Sequence, residues 1–240
     1  MSATPTLTTE RIDNGEGSRA TLLVRLDDGK ANALSKELIA AISAAINDAA
    51  ADPDLGAVVI AGREGRFSGG FDLGVMMSGD IAAMVDLVAD GGDLVRNVFR
   101  SDVPIVAACT GHALAAGALL LLGCDVRVGA TGDYKIGLNE VAIGMVLPAW
   151  GMTIAQERLS KRHLQRSVSN ARIVDPDSAV DAGFLDVVVD QTAVVGRAIA
   201  EAAVLATTLD PAAYAGTMTQ FRGAVADTMS AQIAADRARA

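Results

Sequence analysis

Residues 104–128 read PIVAACTGHALAAGALLLLGCDVRV, and this segment does most to decide the fold. The short apolar run after Pro104 is typical of a strand that is buried on both faces. The chain then passes through Gly111 and continues as a run of alanine, glycine and leucine, which predicts a buried helix. Residues 103–124 carry no charge and are about long enough to span a bilayer, but the proline and the polar residues at their centre favour a strand, a turn and a helix.

The composition indicates a chain that can bury one sizeable core. Of the 240 residues, 51% are hydrophobic and 3% are aromatic. The formal net charge of −9 argues against nucleic acid or an anionic membrane as a partner. The first ten residues lack the basic and apolar regions of a secretory signal. We therefore expect a soluble, cytoplasmic protein in which the two cysteines, Cys109 and Cys124, are buried free thiols.

Local patterns predict strands and helices in alternation along the first two thirds of the chain. Strands are expected at residues 10–14, 21–26, 57–61, 104–109, 125–129, 134–137 and 185–189. Helices are expected from the N-cap Ser35 through residue 50, over residues 81–100 with an interruption or loosening at Gly91-Gly92, over residues 115–122, and along most of the chain after Pro148. Residues 1–8 are expected to be frayed, and residues 65–74 to form a glycine-rich loop. This order predicts an α/β fold with a helical C-terminal part.

Three segments carry residues suited to ligand binding or proton transfer. In residues 65–73, paired glycines let the main chain approach a ligand closely, although an ordinary tight turn has the same composition. In residues 111–119, a helix begins among small residues and its free N–H groups favour negative charge, although close packing on a sheet needs the same residues. In residues 134–150, Glu140 lies alone among apolar residues. Burial would raise its pKa and suit it to proton transfer, whereas a position in solvent or a bond to a backbone N–H would not.

Taken together, these segments resemble the crotonase superfamily, also called the enoyl-CoA hydratase/isomerase family. RFSGGFDL at residues 66–73 matches the family element F-[SCA]-[AG]-G-x-D-[LIF], and residues 104–127 match its P-[VI]-[IV]-A-A-[IVC]-x-G-x-[AC]-x-[AG]-[GA] element with the following C-D-x-R. The family's N-A-L lies at residues 32–34. The resemblance implies a crotonase-like (ClpP/crotonase) spiral of β-β-α units over residues 1–190. It also implies a helical region at residues 191–240 that serves oligomerisation into a homotrimer or hexamer.

The resemblance further implies an acyl-CoA thioester as the substrate. Family members hold the thioester oxygen between two main-chain N–H groups, which correspond here to Phe71 and Ala116. Basic residues before N-A-L contact the phosphates in the family, so Lys30 is a candidate, followed by Arg25 and Arg66. The other implied substrate-binding residues are Ala31, Gly69, Gly70, Leu73, Gly117, Leu119 and Trp150, with core packing as the competing interpretation for Trp150. No metal is expected, and no cofactor besides the coenzyme A of the substrate.

The number of catalytic acids distinguishes reactions within the family. Family hydratases carry two glutamates, and these positions align here with Leu119 and Glu140. YKIGLNEVAIGMVLPAW, residues 134–150, is similar to the corresponding stretch of mitochondrial-type Δ3,Δ2-enoyl-CoA isomerases, which also carry leucine at the first position. The resemblance therefore implies an isomerase of 3-enoyl-CoA with Glu140 as proton shuttle. Two alternatives stay open. The first is a hydratase, which could take its second acid from Asp80, Asp86 or Asp90, or another enolate reaction on the same scaffold. The second is a non-catalytic acyl-CoA-binding protein.

Overall fold

The computed structural model describes residues 6–238. The strands are Leu7–Ile12 (β1), Ala20–Leu26 (β2), Leu55–Ala61 (β3), Gly65–Ser68 (β4), Ile105–Cys109 (β5), Gly111–Leu114 (β6), Val126–Ala130 (β7), Ile136–Gly137 (β8) and Val187–Val189 (β9). The α-helices are Lys36–Ala51 (α1), Leu73–Met76 (α2), Ile81–Phe99 (α3), Ala116–Gly123 (α4), Ala149–Arg158 (α5), Lys161–Val168 (α6), Pro176–Ala182 (α7), Val194–Thr208 (α8) and Pro211–Arg237 (α9). Short 3-10 helices lie at Val141–Ile143 and Gln191–Ala193. The predicted α/β class and helical C-terminal part are confirmed.

A six-stranded sheet in the order β1-β2-β3-β5-β7-β9 lies at the centre of the molecule. β1 runs antiparallel to β2, and the other neighbours are parallel. All seven residues of β3 are buried. Val58 and Ile60 pack among residues of α1 and α3, whereas Ala57 and Val59 pack against the alanines of α8 on the opposite face. Cover on both faces explains why this strand is continuously apolar in sequence.

A second sheet contains three short parallel strands in the order β4-β6-β8. Ser68 in β4 pairs with Ala113 in β6, and Leu114 in β6 pairs with Gly137 in β8. The sequence patterns miss β4 and β6, because a strand of four residues is too short for its alternation to be recognised. The glycine-rich loop expected at residues 65–74 is therefore wrong in its first part, where β4 forms and leads toward the one-turn helix α2.

The C-terminal helix α9 packs on α3 and α5 of the same chain. A buried polar cluster holds it there: the Arg222 guanidinium lies 2.9 Å from Asp125 Oδ1 and donates a 2.8 Å hydrogen bond to the Phe99 carbonyl. The Tyr214 hydroxyl donates to Asp125 Oδ2 at 3.1 Å, and the Ile105 N–H donates to the same oxygen at 2.7 Å. Asp125 thus ties α9 to the beginning of the buried strand β5.

Several local predictions are confirmed. Ser35 caps α1, because its side chain accepts a hydrogen bond from the Leu38 N–H. Cys109 and Cys124 are buried free thiols, and burial raises the pKa of each to about 12. Of the helices between residues 6 and 238, none is by itself long and apolar enough to cross a membrane; the helices over Gln191–Thr208 and Pro211–Arg237 meet that test as a pair, with a bend of 105° between them.

Two local predictions are wrong. The first strand is Leu7–Ile12 rather than residues 10–14, so residues 7 and 8 are not frayed; they pair with β2 in an antiparallel ladder. Residues 1–5 lie outside the described residues. The predicted interruption of α3 at Gly91-Gly92 is absent from the helix Ile81–Phe99. Both glycines are buried there, where neighbouring side chains leave no room for a Cβ.

Candidate active site

The second sheet brings the three candidate segments together. Residues 69–73 follow β4, residues 115–119 follow β6, and residues 138–140 follow β8. Because the three strands are parallel and adjacent, all three segments leave the sheet at its carboxyl edge. Ligands of α/β proteins bind at this edge of a sheet. The candidate residues are thus close neighbours in space, although they come from segments up to 70 positions apart in the chain.

The connection after β4 lies directly against the beginning of α4. Gly70 has φ of 97°, and a Cβ placed on it would lie 3.0 Å from the Ala115 Cβ and 3.5 Å from the Ala116 nitrogen. A larger residue at this position would therefore be strained and would separate the two segments. This close approach puts Phe71, the next residue, beside the helix N-terminus that begins at Ala116.

The Phe71 and Ala116 N–H groups are candidate donors to a ligand. Within residues 6–238, neither group donates a hydrogen bond to the protein. Ala116 is the first residue of α4, so its N–H has no partner inside the helix and lies at the positive end of the helix dipole. Ala115 has φ of 49° and ψ of −125°, a conformation that favours glycine; its N–H donates to the Gly137 carbonyl at 3.0 Å. Backbone strain of this kind concentrates at functional sites.

The N-A-L element, residues 32–34, holds the connection after β4 in place through hydrogen bonds. The Asn32 side-chain amide donates to the carbonyls of Leu26 and Phe67, at 2.9 Å and 3.2 Å. The Ser68 hydroxyl donates to the Asn32 carbonyl at 2.8 Å and accepts from the Gly70 N–H at 3.2 Å. Asn32 is fully buried, and these bonds fix the main chain on which Phe71 sits. Its role is therefore structural.

An apolar cavity of about 310 Å³ lies beside these N–H groups. Its walls come from the connection after β4, from α2 and α3, from the first turns of α4, and from the segment after β8. The residues that line it are Gly69, Phe71, Leu73, Met76, Val88, Ala115, Leu119, Asn139, Glu140, Ile143, Met145, Val146 and Pro148. Among these described lining residues, Glu140 is the one with a titratable side chain.

Glu140 is buried, with 7% of its surface exposed, and burial raises the pKa of its carboxyl group. Its Oε2 atom is inaccessible to solvent and has no hydrogen-bond partner among residues 6–238. The main chain at this point is fixed, because the Glu140 carbonyl accepts hydrogen bonds from the N–H groups of Ile143 and Met145 at 3.1 Å and 2.9 Å. The position of Glu140 in solvent, left open by the sequence, is therefore excluded. A desolvated carboxyl group of this kind suits general acid–base work.

The wall of the cavity also carries Leu119, the residue that aligns with the first acid of the family's hydratases. The three aspartates proposed as substitutes for that acid lie elsewhere. Asp80 caps α3 by accepting from the Ala83 N–H at 3.0 Å. Asp86 pairs with Lys36 at 3.3 Å, and Asp90 pairs with Arg237 at 2.8 Å. None of the three lines the apolar cavity, so a second acid from these positions is not supported.

A second cavity of about 450 Å³ adjoins the first and shares Gly69, Phe71 and Leu73 with it. Lys30 and Ala31 line this second cavity, and the Gly69 N–H donates to the Ala31 carbonyl at 2.8 Å. The two cavities therefore form neighbouring compartments on either side of the connection after β4. Arg25 lines a different cavity, together with Arg63. Arg66 lies near His112; burial lowers the pKa of the His112 imidazole most, and the positive charge of Arg66 lowers it further.

Three of the predicted substrate-binding residues line neither cavity in the structure. Trp150 is fully buried and packs against Gly92 of α3, so it belongs to the core and not to the cavity wall. Gly117 is also buried; a Cβ on it would lie 2.5 Å from the Ser68 carbonyl oxygen, so this glycine lets α4 pack against β4. Gly70 positions the neighbouring N–H groups and does not itself line either cavity.

Several lining residues escape the sequence analysis. They are Met76, Val88, Ile143, Met145, Val146 and Pro148. Nothing in their composition distinguishes them from ordinary core or surface hydrophobic residues. Four of them, Ile143, Met145, Val146 and Pro148, lie in residues 134–150, the stretch that resembles the isomerases. That resemblance is the one sequence signal that could have indicated them.

Comparison with known proteins places the chain in a defined group. The family model described as "Enoyl-CoA hydratase/isomerase" matches residues 16–239. An enoyl-CoA hydratase/isomerase family protein from Pseudomonas syringae is 40% identical, with a TM-score of 0.87 over 97% of this chain and 96% of that one. Human mitochondrial delta3-delta2-enoyl-CoA isomerase is 25% identical, with a TM-score of 0.89 over 98% of this chain and 90% of that one.

The chain is also similar to part of a much longer enzyme. The peroxisomal bifunctional enzyme of Pongo abelii is 31% identical over 171 residues. The alignment covers 71% of this chain but 23% of that enzyme. The chain thus corresponds to about a quarter of this longer relative.

Proposed function

The chain belongs to the enoyl-CoA hydratase/isomerase family, and on that premise we propose that it moves the double bond of a 3-enoyl-CoA thioester to position 2. One observation carries the proposal: Glu140 is the sole titratable side chain among the described residues that line the apolar cavity. Moving a double bond needs one group that removes a proton and returns it, whereas adding water needs a second group to hold and activate that water.

The proposed reaction begins with Glu140 as a carboxylate. It removes a proton from C2 of the 3-enoyl thioester, and the electron pair of that C–H bond delocalises over the double bond and the thioester carbonyl as a dienolate. The Glu140 carboxyl group then gives the proton to C4, and the double bond forms between C2 and C3. Burial raises the pKa of Glu140 toward neutral pH. A pKa closer to neutral pH suits both steps, because the same carboxyl group must first accept a proton and then donate it.

The Phe71 and Ala116 N–H groups are proposed to stabilise the negative charge on the thioester oxygen. Both are free of partners within the described residues, and the dipole of α4 favours negative charge at its N-terminus. The loss of one such donor typically raises the barrier by about 3 kcal/mol. We further propose that coenzyme A occupies the neighbouring cavity, with Lys30 near its phosphates.

Hydration is the second candidate, and Asn139 is the observation in its favour. Asn139 and Glu140 both line the apolar cavity. The Asn139 Oδ1 and Glu140 Oε2 atoms are buried acceptors without a donor in residues 6–238. A water molecule that donates to both would satisfy them. Against this, a carboxamide cannot accept a proton from that water, and Leu119 makes the wall of the cavity apolar. Isomerisation therefore remains the function that we propose.

Two substrates distinguish the candidate functions. Purified protein is incubated separately with a 3-enoyl-CoA and with a 2-enoyl-CoA, and absorbance of the conjugated thioester is followed. We expect absorbance to rise with the first substrate and to remain constant with the second. A fall with the second substrate would show hydration. Binding of both thioesters without any change in absorbance would show a non-catalytic acyl-CoA-binding protein.

Assembly and location are also proposals. We propose a homotrimer or hexamer that uses the helical region at residues 191–240, in the cytoplasm. Two large hydrophobic side chains are exposed in this region, Val204 on α8 and Phe221 on α9. Sedimentation equilibrium of the purified protein tests the assembly: a mass of one chain, about 24.5 kDa, would contradict it.

A further inference from the structure

Exposed hydrophobic side chains concentrate around the mouth of the apolar cavity. Within residues 6–238, six of the eight large hydrophobic residues that are exposed lie in two short segments, residues 73–81 and 141–146. We call these six the apolar rim: Leu73, Met77, Ile81, Val141, Ile143 and Val146. Leu73, Ile143 and Val146 also line the cavity, so the rim is continuous with it. Exposed apolar patches of this kind mark binding surfaces.

The rim has little polar character that would suit a charged or hydrogen-bonding ligand. The sole charged residue in the two rim segments is Asp80, whose side chain is engaged in capping α3. Val146 is 90% exposed and Met77 is 81% exposed, so apolar side chains extend from the cavity onto the protein surface. An uncharged hydrocarbon chain matches such a surface better than a peptide, whose backbone groups would lose hydrogen bonds to water there.

The size of the cavity favours the same occupant. A volume of about 310 Å³ lies at the lower end of the range for small-molecule sites, roughly 300 to 1,000 Å³. The reacting thioester and the first carbons of the acyl chain must fit beside Glu140. A longer acyl chain must therefore leave the cavity, and the rim lies at its opening, whereas Lys30 lies in the other compartment.

We propose that the apolar rim receives the distal part of a long acyl chain, which makes long-chain enoyl-CoA thioesters the preferred substrates. This inference rests on the proposed function for the position of the thioester. Each additional methylene that the rim removes from water should improve binding roughly fourfold. Affinity should consequently continue to rise with chain length after the cavity itself is filled.

Binding of saturated acyl-CoA thioesters tests the inference without any chemical step. Calorimetry compares butanoyl-, octanoyl-, dodecanoyl- and hexadecanoyl-CoA on the full chain. We expect the hexadecanoyl thioester to bind at least about tenfold more tightly than the octanoyl thioester, since several methylenes gain contact. An affinity that stops rising at octanoyl-CoA would overturn the inference.

A matched pair of variants locates the effect. Val146→Asp puts a charge on the rim, and Ala40→Asp puts the same charge on α1, at an exposed alanine that lines neither cavity. We expect Val146→Asp to reduce the ratio of hexadecanoyl to butanoyl affinity at least tenfold, and Ala40→Asp to leave that ratio unchanged. Equal ratios in both variants would contradict the inference. So would a Val146→Asp protein that keeps the wild-type ratio but has a lower assembly mass, because the rim would then be a subunit interface.

The same samples keep the two proposals distinct. If affinity rises with chain length and Val146→Asp removes the rise, but 3-enoyl-CoA is not converted, the rim inference stands and the proposed isomerase activity fails. If conversion occurs with equal efficiency for short and long chains, the proposed function stands and the rim inference fails.

Discussion

Glu140 illustrates at the scale of one residue how a sequence anomaly becomes chemistry. The side chain is buried beside an apolar cavity, and its Oε2 has no partner among the described residues. Such surroundings disfavour the charged form of the carboxyl group, so burial raises its pKa. The desolvation of this carboxyl group costs free energy, and it occurs where we propose proton transfer. Groups with perturbed pKa values are concentrated at functional sites.

The first prediction concerns catalysis by this carboxyl group. Glu140→Gln keeps the size of the side chain but cannot carry the proton. We expect kcat for isomerisation of 3-enoyl-CoA to fall by roughly 10² to 10⁴-fold. Binding of a saturated acyl-CoA, measured by calorimetry, should change little, because the N–H groups of Phe71 and Ala116 are retained. Conversion at the wild-type rate would exclude Glu140 as the proton shuttle.

The second prediction concerns stability and pH. The folded-state pKa of Glu140 is raised above the ordinary glutamate value of 4.5. The unfolded chain therefore releases this proton first as pH rises, and the folded protein loses stability between pH 4.5 and the raised pKa. The glutamine of Glu140→Gln does not titrate. Over this interval, the free energy of unfolding of the variant should therefore increase relative to that of the wild type.

Urea denaturation at a series of pH values measures the difference. The two proteins should differ least below pH 4.5, where the carboxyl group is mostly protonated in both states. The variant should gain on the wild type as pH rises, until the raised pKa of Glu140 is passed. A difference that does not vary with pH would show that Glu140 is not desolvated in solution.

At the scale of elements, two glycines explain how α3 reaches the site. A Cβ added to Gly91 would overlap the Phe71 ring, 2.5 Å from its Cζ atom, and a Cβ added to Gly92 would lie 2.9 Å from both Trp150 and Ile233. Gly91 thus lets α3 approach the residue whose N–H is a proposed donor to the substrate. The two glycines therefore do not loosen α3. They are needed there because the neighbouring side chains leave no space for a Cβ.

The third prediction follows from this packing. Gly91→Ala should push the Phe71 ring toward the cavity, lower kcat/KM roughly tenfold to a hundredfold and lower stability by about 1–3 kcal/mol. The matched control is Gly223→Ala on α9, where an added Cβ meets nothing within 4 Å. That variant should gain about 0.5–1 kcal/mol from helix propensity and keep its activity. Wild-type activity in Gly91→Ala would show that the ring position does not matter.

At the scale of the molecule, α9 is tied to the core by a buried ion pair. Arg222 is 6% exposed, contacts Asp125 at 2.9 Å, and lies over the Phe99 ring at 4.6 Å. The Tyr214 hydroxyl joins the same carboxylate, and burial together with Asp125 raises the pKa of Tyr214. Because α9 also packs on α3, which contributes Val88 to the cavity wall, this cluster connects the C-terminal helix to an element that lines the cavity.

The fourth prediction compares two arginines of α9. Arg222→Ala leaves Asp125 buried without its cation, so we expect a loss of about 3–5 kcal/mol in the free energy of unfolding. Arg237→Ala removes a partly exposed pair with Asp90 and Asp93, each at 2.8 Å, and should cost less than about 1 kcal/mol. Urea denaturation measures both. Equal losses in the two variants would contradict the role assigned to the buried cluster.

By itself, the sequence determined the features that depend on neighbouring residues and on recognisable motifs. Residues that are adjacent or close in the chain indicate the cap of α1 at Ser35, the buried strand β3, the family, and Glu140 as the candidate acid. These features are local, because propensity, capping and periodicity act over a few residues.

Only the tertiary structure decided which residues meet. The pairing of β4, β6 and β8 brings Phe71, Ala116 and Glu140 to one edge, and two of these strands, β4 and β6, are too short to be recognised in the sequence. It also assigned Gly117 and Trp150 to packing, and it left the apolar rim exposed beside the cavity. Such outcomes depend on contacts between residues far apart in the chain. Packing and burial arise there, so no local pattern encodes them.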